Sequence, residues 1–178
     1  MMDPGYRGTN ITLTVQNRIG DSLTVGSTVV KVLYGRFADP DATRTPGTSP
    51  LKNYAVCTWG DQSAGQKGSH VCYLDVFTHI GPETSGGDPQ GLRCSRIADA
   101  IMEIFRAPAN DRFSIYDYAD LNAPLRTGIC LYTVGPNSAR GFPLRREVIP
   151  WEDGLNRIRI TYQFKTVVDR SFSGGYDP

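Results

Sequence analysis

The chain has 178 residues, of which 39% are hydrophobic and 21% are charged, and its formal net charge is +1 at pH 7. This length and composition predict one domain with a substantial core. A net charge near zero excludes binding to a polyanion by bulk electrostatics, so any contact with nucleic acid would need a local basic patch. The 19 Gly and 12 Pro residues indicate long loops.

No signal peptide or membrane span is expected, because the N-terminal sequence lacks an apolar run and no later stretch is long enough to cross a bilayer. We therefore expect a soluble protein made in a cytoplasm. The four cysteines include no Cys-x-x-Cys pair, which disfavours a zinc site. They are expected to be reduced and buried, with Cys57 and Cys72 able to face each other across a hairpin.

The N-terminal part predicts a disordered start over residues 1–8, followed by a single domain over residues 9–168. From Thr9 to Ile19 the apolar residues have helical spacing, although Ile-Thr-Leu-Thr-Val also alternates as in a strand. Val29 to Tyr34 reads as a strand. The Asp-, Thr- and Pro-rich residues 36–53 are expected to form a long loop that docks a partner.

The middle of the chain predicts a hairpin and one helix. Residues 54–59 and 70–78 are β-rich and are separated by a Gly-rich run, which is typical of a hairpin with a flexible tip. Leu92 to Ala107 has an apolar stripe at helical spacing, and Pro108 would end this helix.

The last third predicts strands over residues 113–118, 128–134 and 144–149, with a long loop over 135–143 and a flexible tail over 169–178. The segment from Leu155 to Val168 is the clearest strand. Its apolar positions alternate with polar and mostly cationic positions, which indicates a sheet with one face on a core. The apolar positions are Ile158, Ile160, Tyr162 and Phe164.

These elements together predict an α+β fold: a mostly antiparallel sheet of five to seven strands with one long helix, or two, packed on one face. The long strands of an open sheet leave edges that invite pairing with other copies.

The sequence contains no nucleophile elbow, phosphate loop, dinucleotide fingerprint or zinc-protease helix motif, and we expect no enzyme activity, no cofactor and no metal. Asp75 and His79 could form an acid-base pair, but they lie too far apart along one strand. Asp75 is interpreted as a polar-face residue or edge guard and His79 as loop surface. Asp99 and Glu103, one helical turn apart, are interpreted as a solvated helix face rather than a carboxylate site.

A basic group is the charge feature that points to a function. It consists of Arg157, Arg159 and Lys165, with Arg145 and Arg146 on a neighbouring strand. Solvent, nucleic acid and a second subunit all remain open as its partner. Nucleic-acid binding would use aromatic side chains between the cations, and Tyr162 and Phe164 point the other way. Self-association would bring the cations to acidic residues of a neighbouring copy.

The order and spacing of several segments resemble the tail terminator, or tail completion, proteins of long-tailed bacteriophages. The resemblance spans roughly residues 9–168. The segments are Asn53 to Val56 with Gly60-Asp61, Val71 to Thr78, Ser95 to Ile101 and Arg157 to Phe164.

The resemblance implies a virion protein, assembled in the host cytoplasm, that forms a hexameric ring at the head-proximal end of the tail tube. Such a ring stops tube polymerisation, contacts the tube protein and the neck or connector, and lets DNA pass through its lumen without sequence-specific binding. The basic group would face the lumen or a neighbouring subunit. Additional docking residues are expected in the two long loops: Arg36, Asp39, Arg44, Asn137 and Arg140. The alternatives are a head-tail adaptor or stopper, and more distantly a soluble binding module or enzyme.

Overall fold

The computed structural model consists mainly of one curled, mixed sheet of eight strands with two short helices. It describes residues 4–35, 53–63, 68–82, 87–106, 112–152 and 154–170. The helices are α1 (Gly8–Ile19) and α2 (Leu92–Phe105). The strands are β1 (Ser22–Val25), β2 (Thr28–Tyr34), β3 (Asn53–Gln62), β4 (Ser69–His79), β5 (Arg112–Asp117), β6 (Leu125–Thr133), β7 (Arg145–Glu152) and β8 (Leu155–Val168).

The predicted fold class is wrong. The sheet has eight strands rather than five to seven, and it is mixed because β2 and β3 run parallel. Among the described residues no long helix packs on it: α1 has 12 residues and α2 has 14. The missed strand is β1, which forms a hairpin with β2 around Gly26, a residue at φ 61°. A two-residue turn with a left-handed glycine is a hairpin signal, but β1 itself is only four residues long.

Strand β8 organises the sheet because it has three strand partners. One edge of β8 pairs with β4 along eleven register positions. The other edge pairs first with β7, up to Thr161, and then with β6, from Phe164 onward. The order across the sheet is β1-β2-β3-β4-β8-β6-β5, with β7 beside the first half of β8. The predicted β3–β4 hairpin is confirmed.

The main core lies on one face of the sheet and includes both helices. The alternation of β8 is confirmed, since Ile158, Ile160, Tyr162 and Phe164 are all buried in this core. The ring of Phe105 in α2 contacts those of Tyr162 and Phe164, with centroid distances of 4.7 and 5.4 Å. A second, smaller apolar cluster, formed by Leu33, Tyr54 and Val56 with Phe77, lies on the opposite face.

Helix α1 covers the edge strand β5 with polar side chains. Asn10 Oδ1 accepts a hydrogen bond from the backbone N–H of Tyr118, and Thr14 Oγ1 accepts one from the N–H of Tyr116. These bonds satisfy donors that an open edge would otherwise expose. The Thr-rich composition that made this segment ambiguous therefore serves a purpose, because one stripe of the helix is apolar and another binds a strand edge.

Other expectations about the chain ends and loops have mixed outcomes. Residues 4–6, within the segment expected to be disordered, form a buried 3-10 helix. The loop 135–143 contains a tight turn at Pro136–Ser138, in which Asn137 and Ser138 have positive φ, and a bridge between Val134 and Arg140. Residues 36–52 and 171–178 lie outside the described residues, so the expected docking loop and most of the expected tail stay predictions.

Candidate functional site

The face of the sheet opposite the main core, here called the outer face, carries a row of charged residues. Asp75 on β4 is in register with Arg159 on β8, which is in register with Glu147 on β7. Because alternate residues of a strand share a face, Arg157 and Arg145 lie on the outer face beside this row. The charges alternate in sign from Arg157 through Asp75, Arg159 and Glu147 to Arg145.

Asp75 is the centre of this row. Its Oδ1 accepts hydrogen bonds from Arg157 Nε (3.1 Å) and Arg159 Nε (2.9 Å), and its Oδ2 accepts one from Arg159 Nη2 (2.9 Å). The Asp75 side chain is only 6% exposed, against 33% for Arg159. The hydrogen bond to Asp75 raises the pKa of the Arg159 guanidinium. A central strand holds Asp75, so its interpretation as an edge guard is wrong.

Aromatic side chains do accompany the cations, contrary to the expectation that the basic face lacks them. Arg157 lies over the Phe77 ring at 5.3 Å and Arg159 over the Tyr73 ring at 5.2 Å. Phe77 also stacks on Tyr54, with a centroid distance of 4.8 Å. These rings come from β3 and β4, which sequence reasoning did not place beside β8. Each ring already contacts a guanidinium group or another ring, so a nucleic-acid base would have to compete with these contacts.

Four of the five predicted cations lie on the outer face, and the fifth, Arg146, lies on the core face of the sheet. Arg145 pairs with Glu147 at 2.7 Å, and Lys165 lies half-buried on β8. Arg146 points toward the core side, where it donates a hydrogen bond to Ser95 Oγ (2.7 Å) and lies 3.5 Å from Asp99. Arg146 therefore links β7 to α2.

Of the predicted docking residues, Arg140 lies over the Tyr132 ring and Asn137 has a left-handed φ of 54°.

The other predicted docking residues, Arg36, Asp39 and Arg44, lie outside the described residues. Glu103 pairs with Arg106 at 3.1 Å, in keeping with an ordinary charged helix face. Within the described ranges, no group of three or more His, Cys, Asp or Glu side chains could hold a metal ion.

A cleft of about 380 Å³ lies between the start of α2 and the β7–β8 hairpin, and sequence reasoning missed it. Its walls include Leu92 and Val148, both of which are large exposed apolar residues. The adjacent helix N-terminus is already satisfied, because the buried Asp88 carboxylate accepts hydrogen bonds from the backbone N–H groups of Arg93 and Cys94. A cleft with mixed apolar and polar walls beside a strand edge suits contact with another chain.

The edge of β7 that faces away from β8 is a second feature of this region. One edge of this eight-residue strand pairs with β8, and no strand in the described part of the chain pairs with the other. Val148 in the middle of β7 is 73% exposed. By contrast, the edge of β5 is covered by α1 and β1 is short.

No protein-family model matches this chain, and no curated protein matches it. Neither helix of the described structure is long and apolar enough to cross a membrane.

Proposed function

We propose that this chain is a structural subunit that assembles with other copies through its sheet edges into a ring, in the manner of a bacteriophage tail terminator. The observation that carries the proposal is the free edge of β7 with the exposed Val148. Unpaired strand edges bind other strands unless they are covered or blunted, and in the described part of the chain no strand covers this edge from Arg145 to Ile149, before Pro150 and a register shift interrupt it.

The two ends of the sheet suit a head-to-tail arrangement. β1 ends the sheet on one side, and β7 lies beyond β8 on the other. Contacts between two different surfaces of identical subunits generate closed rings when the rotation closes. A ring also gives a use to the long loops, because neighbouring copies cover surface that one copy exposes.

The outer face fits a structural role better than nucleic-acid recognition. Asp75 and Glu147 neutralise much of the charge of Arg145, Arg157 and Arg159, and the nearby rings are occupied. Such a surface suits packing against a subunit, or lining a channel through which DNA slides without being held. The resemblance supplies the more specific expectation of a hexamer that ends the tail tube and contacts the neck.

Native mass spectrometry and negative-stain imaging of the purified chain test the proposal. We expect a ring for the wild-type chain, and loss of that ring for Val148→Lys, because a buried ammonium at the interface is costly. Val168→Lys is the matched control, since Val168 is also an exposed strand valine, at 49%, and lies at the end of β8 beside β6, away from both β7 and β1. We expect this variant to keep the ring.

The outcomes distinguish whether the chain forms a ring from whether the β7 edge forms the contact in that ring. A wild-type chain that stays monomeric, and never joins tail tubes when mixed with them, would rule out the terminator proposal. A ring that persists in Val148→Lys would instead show that another surface forms the contact. Locating the chain in images of intact particles distinguishes a terminator at the tube end from an adaptor or stopper nearer the head.

A further inference from the structure

Two cysteines meet inside the main core at the centre of the β3–β4 pair. Cys57 and Cys72 are 1% and 0% exposed, and their Sγ atoms are 3.4 Å apart. Cys57 is in register with Leu74 and Cys72 with Trp59, so the two thiols are diagonal neighbours on one face. Both are free thiols.

The other two cysteines have different surroundings. Cys94 Sγ lies 3.5 Å from the carbonyl oxygen of Val76, and Cys130 Sγ lies 3.6 Å from Asp169 Oδ2. Burial raises the pKa of Cys94 to about 11, and burial also raises the pKa of Cys130. The hydrogen bond to Cys57 raises the pKa of Cys72 well above the ordinary thiol value. Geometry rather than acidity therefore distinguishes the Cys57–Cys72 pair.

We propose that Cys57 and Cys72 form a reversible dithiol-disulfide couple in the folded chain, with a peroxide as the oxidant. The sulfurs must approach from 3.4 Å to about 2.0 Å. Because diagonal neighbours on paired strands have Cα atoms about 7–8 Å apart and disulfides usually span about 4.4–6.8 Å, the two strands must also move closer together at this point. The buried position makes the reaction slow, because peroxide must reach the pair during local opening of the strands.

The chemistry balances with hydrogen peroxide alone. One thiol, as its thiolate, attacks the peroxide; the O–O bond breaks, a sulfenic acid forms and one water leaves. The second sulfur attacks the sulfenic sulfur, so that an S–S bond forms, the S–O bond breaks and a second water leaves. The two thiols lose two protons and two electrons, and the peroxide is reduced to two waters. A dithiol such as dithiothreitol reverses the oxidation by exchange.

The disulfide would lock β3 to β4, the strand pair that connects the β1–β2 end of the sheet to β8. A cross-link that closes a chain segment restricts the unfolded state and stabilises the fold. Cells keep such thiols reduced, and extracellular surroundings oxidise them. A subunit assembled in a cell and released in a virion would pass from one to the other; this use rests on the proposed function, whereas the thiol chemistry does not.

Peptide mass spectrometry of the full chain tests the couple. The folded protein is treated with hydrogen peroxide, quenched, denatured, alkylated with iodoacetamide and digested. We expect a cross-linked peptide pair containing Cys57 and Cys72, lighter by two hydrogens than the reduced pair, with Cys94 and Cys130 alkylated. Dithiothreitol should restore alkylation at all four sites, and the oxidised chain should have a higher thermal midpoint.

Cysteine-to-serine variants test whether the cross-link joins Cys57 to Cys72. Cys57→Ser and Cys72→Ser should each abolish the cross-link and the rise in midpoint, whereas Cys130→Ser should keep both. Should a core variant fail to fold, the wild-type peptide map still decides. Sulfinic acid at either cysteine without a cross-link, a bridge to Cys94 or Cys130, or a Cys57–Cys72 bridge that forms only in urea would each overturn the proposal. Ring assembly is unaffected by these results, so the two proposals fail independently.

Discussion

Arg159 and Asp75 are register partners on neighbouring central strands, and the Arg159 guanidinium donates two hydrogen bonds of 2.9 Å to the Asp75 carboxylate. Arg157 donates a third to the same carboxylate. A nearly buried carboxylate with three charge-assisted hydrogen bonds fixes the pairing of β4 and β8, because a slip by one residue would separate the charges and move Asp75 to the core face.

Asp75→Asn should lower the free energy of unfolding by about 1–3 kcal/mol, because it removes the charge that two guanidinium groups share. The partly exposed arginines retain some solvation, which limits the loss. Urea unfolding measures the effect. Glu147→Gln is the control on the same face. It should lower the free energy of unfolding by less than about 1 kcal/mol, because the Arg145–Glu147 ion pair is more exposed. Equal losses in the two variants would contradict the central role of Asp75.

Asp88→Ala should destabilise the start of α2. The buried Asp88 carboxylate accepts the Arg93 and Cys94 backbone N–H groups and the Thr78 hydroxyl, so its loss leaves three donors without their acceptor. We expect the free energy of unfolding, measured in urea, to fall by about 1–3 kcal/mol, and hydrogen exchange in the first turn of α2 to become faster. Asp99→Ala, an exposed change on the same helix, should leave both quantities nearly unchanged.

Asn10→Ala should open the edge of β5. Asn10 binds the carbonyl of Pro4, the carboxylate of Asp117 and the N–H of Tyr118 at once. We expect about 1–3 kcal/mol of destabilisation and more concentration-dependent light scattering, since an uncovered edge pairs with other chains. Asn17→Ala removes only an exposed bond to the Tyr118 hydroxyl and serves as the control. Scattering that rises equally in both variants would contradict the edge-covering role.

His70 should make the fold sensitive to acid. Its ring is 1% exposed, neither ring nitrogen has a hydrogen-bond partner among the described residues, and burial lowers its pKa. As the pH falls, the unfolded chain therefore binds the proton before the folded chain does. Stability is lost as the pH drops below the pKa of histidine in the unfolded chain, about 6.5. One such group contributes at most about 1.4 kcal/mol per pH unit.

Urea unfolding between neutral pH and pH 5 checks this dependence by comparing wild type with His70→Leu. The variant should show a flatter dependence of stability on pH, whatever its absolute stability. Val76→Ala is the control: a core change without a titratable group should shift the whole curve and keep its slope. A slope in His70→Leu equal to that of the wild type would assign the acid sensitivity elsewhere.

Local pattern was enough to identify most elements, and their arrangement was not. The alternation from Leu155 to Val168 and the apolar stripe of α2 identify a two-faced strand and an amphipathic helix, because side-chain direction within one element follows from backbone geometry alone. Strand β1 was not predicted, because four residues are too few to show a periodic pattern. The parallel pairing of β2 and β3 escaped because no local signal reports which distant strand a strand will join.

The sequence by itself thus determined which side chains of β8 enter the core and that its other face is basic. Only the tertiary structure decided what that face meets: Asp75, Tyr73 and Phe77 of β4, and Glu147 of β7. It also separated Arg146 from Arg145, turning one toward α2 and the other to the outer face. The physical reason is that strand partners and register result from many weak contacts summed over the whole chain, whereas alternation is a property of each strand.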